Sequence, residues 1–149
     1  MKEPTEFFIG MQSMFRLYDR MLKKVCVRYD LTLIEADIIS FLKYNPSRDT
    51  AVDIVELRML SKGTVSKAVE ALVRRSFLER IPDENDRRKI HLHLLMGADP
   101  VVKEICEVRE AFFDIVLKGF SEEELEAEWH FLQRQFENTM RAIEGREQP

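Results

Sequence analysis

Apolar residues recur at alternating spacings of three and four along the first thirty positions: Phe8, Met11, Phe15, Tyr18, Leu22, Val25 and Tyr29. That is the seam of one long helix, widened by Phe7, Met14 and Met21. Three shorter helical stretches follow. Thr32 with Glu35 opens one carrying Ile34, Ile38, Phe41 and Leu42, ending before Asn45-Pro46. Thr50 with Asp53 opens another carrying Ile54, Val55 and Leu57, and Ser61 opens a third carrying Val65, Ala68, Val69, Leu72 and Val73. In the first two, the cap hydroxyl accepts from a free backbone N–H and the acidic residue bonds back. After Ser61 the third position is Thr64, which completes that exchange only in part.

From Phe77 the period falls from 3.6 to 2. Phe77–Ile81 reads as a strand, and Lys89–Leu94 as a second with Ile90, Leu92 and Leu94 on one face. Between them, Pro82-Asp83-Glu84-Asn85-Asp86-Arg87-Arg88 is a charged turn with nothing apolar to bury. Helices then return. Asp99-Pro100 suits a helix start, Val101, Ile105, Val108, Phe112 and Val116 share one face, and Gly119 marks the stop. Ser121 with Glu124 caps a last helix carrying Leu125, Trp129, Leu132, Phe136, Met140 and Ile143. The expected order is four helices, a β-hairpin and two helices, a mainly α fold with a small β-wing.

Composition narrows the class. Apolar residues make up 45% and charged residues 34% of 149, neither disordered nor membrane-like. The start, MKEPTEFFIG, lacks the basic and apolar regions of a signal peptide, and charges interrupt every apolar run. Two cysteines without a CxxC pair, Cys26 and Cys106, suit a reducing, cytoplasmic setting. The net charge is −4, but it is unevenly spread. Residues 1–60 are balanced, residues 61–98 carry 8 basic against 5 acidic groups, and residues 99–149 carry 6 against 13. A basic middle offers one footprint for an anionic partner.

The third short helix lies in that middle. With Val65, Ala68, Val69 and Leu72 turned inward, Gly63, Ser66, Lys67, Glu70 and Arg74 face outward, and Lys62 and Thr64 flank the first turn. Small and polar groups at a helix N-terminus allow close approach to base edges, and the dipole favours phosphate. Arg74 and Arg75 could add phosphate contacts, and Glu70 could accept from a cytosine amino group. The same pattern also describes a helix with a merely solvated polar face. Arg87 and Arg88 stand at the hairpin tip, where an arginine can enter a minor groove. Asp86 is placed to pair with Arg88 and fix its direction; the plain alternative is a solvated, charge-rich turn. His91 and His93 alternate onto one strand face, but no third ligand is evident by spacing, so no metal is expected. Both cysteines are expected as buried or interface thiols. No catalytic triad, phosphate loop or paired-carboxylate signature stands out, and neither an enzyme nor a cofactor is expected.

The run Leu60-Ser61-Lys62-Gly63-Thr64-Val65-Ser66-Lys67-Ala68-Val69-Glu70-Ala71-Leu72 resembles the recognition helix of the multiple-antibiotic-resistance regulator (MarR) family, L-S-x-x-T-V-[ST]-[RK]-x-V-x-x-L. Asp83-Glu84-Asn85-Asp86-Arg87-Arg88 resembles that family's wing, D-x-x-D-x-R. The resemblance extends over the whole chain and implies one MarR-type domain, 1–149, with a winged helix-turn-helix at 31–98 and dimerisation helices at 1–30 and 99–149. It implies a sequence-specific, double-stranded-DNA-binding regulator, a homodimer on a palindromic operator, with repression answering to an unidentified small-molecule effector. Ser61, Lys62, Gly63, Thr64, Ser66, Lys67, Arg74, Arg87 and Arg88 become the expected DNA-binding residues and Asp86 the wing-orienting one. Phe8, Met11, Phe15, Tyr18, Trp129 and Phe136 become the expected dimerisation residues. The alternative is a winged-helix module for protein interaction without sequence-specific DNA binding. Three positions depart from the family pattern: Met59 and Ser76 stand where Gly is usual, and Leu95-Met96 where the second strand ends in Leu-Thr. Without Gly, altered turns are expected at 59 and 76.

Overall fold

A computed structural model describes residues 4–145; the outermost positions of both expected dimerisation regions lie outside the described residues. The order is α1 (Pro4–Tyr29), α2 (Leu33–Tyr44), α3 (Ala51–Arg58), α4 (Lys62–Arg74), β1 (Leu78–Pro82), β2 (Ile90–Leu94), a 3-10 turn (Met96–Ala98), α5 (Asp99–Val116) and α6 (Glu122–Ile143). The fold is mainly helical with a β-wing, as the periodicities predict, and each strand starts one residue later than they place it.

Local chemistry sets the starts. The Thr32 hydroxyl accepts from the Glu35 amide at 3.1 Å and the Glu35 carboxylate from the Thr32 amide at 2.8 Å. Thr50 and Asp53 repeat the exchange at 3.2 and 3.1 Å. Thr50 also forms a β-bridge to His91, and the adjacent Asp49 carbonyl accepts the Leu92 amide at 2.7 Å. The start of α3 therefore doubles as an extra rung beside β2, tying the helices to the hairpin. On its other side β2 pairs antiparallel with β1, Arg80 opposite Leu92.

The chain divides into two compact units, one up to Phe112 and one from Phe113. In the first, Ile38, Ile39, Ile54, Val65, Leu72 and Leu78 are fully buried, together with Val101 and Ile105 of α5. Leu22, Val25 and Cys26 of α1 join the same core. Each such side chain contributes about 1.5–3 kcal/mol. The core thus takes in residues on both sides of positions 30 and 99, where the resemblance sets the limits of the winged helix. Arg28 and the Tyr29 hydroxyl both donate to Glu104, at 2.7 and 2.9 Å, joining α1 to α5. In the second unit, Gly119 turns the chain with φ 89°, and Ser121 and Glu124 form a capping box ahead of α6. None of the α6 side chains is buried.

The turns at Met59 and Ser76 are not altered. Both residues keep the left-handed conformation that Gly would serve, with φ 52° and 58°. Ser76 follows the α4 cap, where the Phe77 amide reaches back to the Leu72 carbonyl and the Ser76 amide to that of Val73, both at 3.0 Å. This pair of hydrogen bonds satisfies the last carbonyls of α4 and holds a side chain in an unfavourable region. Gly97 is fixed by space instead: a β-carbon there would lie 2.8 Å from the Ser76 carbonyl oxygen. Ser76→Gly should therefore raise the unfolding free energy by about 1 kcal/mol. Gly97→Ala should lower it by about 1–3 kcal/mol. Urea denaturation of the two variants should give opposite signs.

Candidate nucleic-acid interface

Helix α4 is held on one side and open on the other. Val65, Ala68, Val69 and Leu72 are buried, so Lys62, Gly63, Ser66, Lys67, Glu70 and Arg74 face solvent, and Thr64 is half-buried. The Ser61 hydroxyl accepts from the Thr64 amide at 3.1 Å, and the two hydroxyls lie 2.7 Å apart. Thr64 thus bonds the cap's side chain, not its backbone. At Gly63 an added β-carbon would meet nothing within 4 Å; the fold itself makes no demand for Gly there. The turn before α4 is braced by Arg58, whose guanidinium donates through two nitrogens to Asp37 of α2.

The sequence offered two arginines at the end of α4, and the structure separates them. Arg74 is exposed. Arg75 donates to the Asp30 carbonyl at 2.7 Å and to that of Tyr29, and its guanidinium lies 4.8 Å over the Phe77 ring. It clamps the end of α1, a role the sequence did not show, while remaining exposed like Arg74.

The wing tip is a built turn. The Lys89 amide donates to the Asp86 carbonyl at 2.9 Å, which makes Arg87 and Arg88 the two central residues of a four-residue turn. Both are exposed. Asp86 accepts from the Arg88 backbone amide at 3.0 Å. The expected pairing with the Arg88 guanidinium is therefore corrected: a side chain two places back reaches the amide first, so Asp86 shapes the backbone. Asp83 does more, accepting from the Asn85 and Asp86 amides at 2.8 Å each. It also meets His91 Nε2 at 2.9 Å, and His91 Nδ1 meets Asp49 at 2.7 Å. Sequence reasoning missed this set. Asp49 stands 42 positions from His91, and only the β-bridge at Thr50 brings them together. These bonds hold the Asp83 carboxyl down to about 2, the His91 bond most strongly.

His93 Nε2 lies 3.8 Å from the other Asp49 oxygen, so the two histidines do share a strand face. Among the described residues no group of three or more His, Cys, Asp or Glu is arranged to hold a metal ion, and no helix is long and apolar enough to cross a membrane. Cys26 is buried, which pushes its thiol up and leaves it protonated. Cys106 is partly buried, and its bond with Tyr44 pushes that phenol up to about 12.

The residues expected at a subunit interface fall into two sets. Phe8, Met11 and Phe15 of α1 are exposed, as are Trp129 and Phe136 of α6, at 72% and 60%. Tyr18 is different: it packs within its own chain, edge-on to Phe112 with ring centres 5.3 Å apart. Burial pushes its phenol up.

A capped helix pair joined by a tight turn and followed by a hairpin defines a winged helix-turn-helix. The model of the MarR family matches residues 29–89. The HTH-type transcriptional regulator PecS of Dickeya dadantii is 30% identical over 110 residues, covering 72% of this chain and 66% of PecS. The uncharacterized HTH-type transcriptional regulator YsmB of Bacillus subtilis is 24% identical over 66 residues, covering 44% of this chain and 45% of YsmB. The matches thus span just under two thirds and under half of those relatives. In fold, the chain is similar to S. aureus MepR in a complex with DNA, at 18% identity, TM-score 0.70, and coverage of 90% of this chain and 95% of that one. The chain belongs to the MarR family.

The different surroundings of Arg74 and Arg75 can be read in stability. Arg75→Ala should lower the unfolding free energy by about 1 kcal/mol through its lost carbonyl bonds. Arg74→Ala should change it by less than about 0.5 kcal/mol. Chemical denaturation distinguishes the two.

Proposed function

We propose that this chain binds double-stranded DNA as a homodimer and regulates transcription by occupying a roughly palindromic operator. One observation carries the reading: a single compact unit exposes the Lys62–Lys67 turn of α4, free of bulky side chains at Gly63 and Ser66, together with a wing turn centred on Arg87 and Arg88. Such a helix enters a major groove, and such a wing reaches the adjacent minor groove or backbone. Ser61, Lys62, Thr64 and Arg74 then serve mainly as phosphate contacts; Gly63, Ser66 and Lys67 approach base edges. The likeness to a DNA-bound MepR supports the reading.

The second copy is supported by the apolar side chains left exposed on α1 and, separately, on α6. Patches of that kind are rare on monomers, and the two-fold symmetry of a dimer matches half-sites about one helical turn apart. Residues 1–30 and 99–149 supply the dimer contacts and residues 31–98 the winged helix. The chain works in the cytoplasm, where two unpaired thiols persist, as a repressor released by a small effector. It carries out no catalysis.

Selection of bound duplexes from a random pool, followed by titration at several salt concentrations, tests this. The affinity for the selected site should fall with salt at a logarithmic slope steeper than about −4, from counterion release by basic groups on two copies. Lys67→Ala should weaken the selected site by about 5- to 100-fold and random DNA far less. Gly63→Ala should weaken the selected site while leaving stability unchanged or up to about 1 kcal/mol higher. A flat salt response would favour the protein-interaction module instead, and equal losses on both DNAs would demote Lys67 to a backbone contact. Sedimentation of a monomer at micromolar concentration would remove the dimer.

A further inference from the structure

The side chain that organises the wing is not one of its arginines. We propose that His91, as an imidazolium bridging Asp49 and Asp83, is a positioning residue for the wing, and that the wing loses its shape when this proton leaves. The proposal rests on the reading of the wing as a DNA contact.

The geometry states the chemistry. His91 Nδ1 lies 2.7 Å from an Asp49 oxygen and Nε2 lies 2.9 Å from an Asp83 oxygen. A neutral imidazole has one N–H and one lone pair, so it satisfies one carboxylate and turns a lone pair on the other. Only the doubly protonated ring donates to both. Asp83 cannot supply the missing proton near neutrality, because its carboxyl is held down to about 2. The two carboxylates come from different places: Asp49 from the segment entering α3, Asp83 from the start of the wing loop. His91 is thus the link between the helix-turn-helix and the loop carrying Arg87 and Arg88. Through Asp83 it supports the Asn85 and Asp86 amides, and Asp86 in turn supports the Arg88 amide.

The surroundings allow the ring to titrate. Asp49, Asp83, Glu84, Asn85, His91 and His93 line an open hollow of about 360 Å³ with Ile81 and Pro82, and the His91 side chain is 23% exposed. His93, 3.8 Å from Asp49, is a second imidazole facing the pair; Lys89 opposes the His91 charge. The bond to Asp83 and then that to Asp49 raise the His91 pKa above 6.5, against burial and Lys89. A raised value means that the stabilisation is complete below 6.5 and is lost as pH rises through the folded value. The wing therefore loosens on the alkaline side. An ordering requirement is then added to DNA binding.

Ring-nitrogen NMR of the full chain, with duplex titrations across the same pH range, tests this. Both His91 nitrogens should be protonated on the acid side of a midpoint that lies above the ordinary 6.5, and the Asn85, Asp86 and Arg88 amides should shift with that midpoint. Duplex affinity should fall through it by about three- to tenfold. His91→Gln should bind weakly and lose this dependence, His91→Arg should bind well and also lose it, and His93→Gln should keep it. A His91 midpoint at or below 6.5, or the same pH profile in wild type and His91→Gln, overturns the proposal. If the amides follow His91 but no duplex binds at any pH, the DNA reading fails while the positioning role stands.

Discussion

The surface that α4 presents depends on how the helix is rotated, and that rotation is set by burial. A helix advances about 100° per residue, so sinking Val65, Ala68, Val69 and Leu72 into the core leaves no freedom in which side chains face outward. The Lys62, Gly63, Ser66 and Lys67 surface is the complement of that buried face. The polar bonds around α4 act at its ends. Arg58 on Asp37 holds the preceding turn, Ser61 caps the start, and the two hydrogen bonds around Ser76 close the finish. The apolar face sets direction, and the caps set where the helix begins and stops.

The wing follows a different rule. Its loop has almost nothing apolar to bury, so its shape comes from hydrogen bonds to carboxylates. Asp83 gathers two amides and an imidazole, Asp86 gathers one amide, and the pair of arginines is left at the crest. Hydrogen bonds on an exposed loop contribute little individually; here several converge on one residue. Thr50 joins the two regimes, since the hydroxyl that caps α3 belongs to the residue that bridges to His91. Movement of the wing therefore bears directly on the start of the helix-turn-helix.

What was legible in the sequence follows from this division. The helices, the hairpin and the buried face of α4 could be read because period and capping are local signals. Two kinds of feature could not be. Arg75 looked like its neighbour Arg74, and only the return of α1 beside the end of α4 shows that its guanidinium is occupied by the Tyr29 and Asp30 carbonyls. Asp49 carried no visible role because its partner lies far along the chain. Met59 and Ser76 misled in the other direction. The lack of Gly suggested changed turns, whereas both residues adopt the left-handed region with ordinary side chains, Ser76 held there by the hydrogen bonds that close α4. The burial of Leu22, Val25 and Cys26 in this chain's own core could not be read for a related reason: a heptad-like seam does not say whether its partner is the same chain or another.

The central claim is that α4 and the wing meet DNA as one surface. Backbone amide shifts on adding a selected duplex test it residue by residue. Large shifts are predicted at Lys62–Lys67 and at Asn85–Arg88 at the same DNA concentration, with little change at the buried Ile38 and Ile39 of α2. Shifts confined to α1 or α6, with both of those segments unmoved, would contradict it.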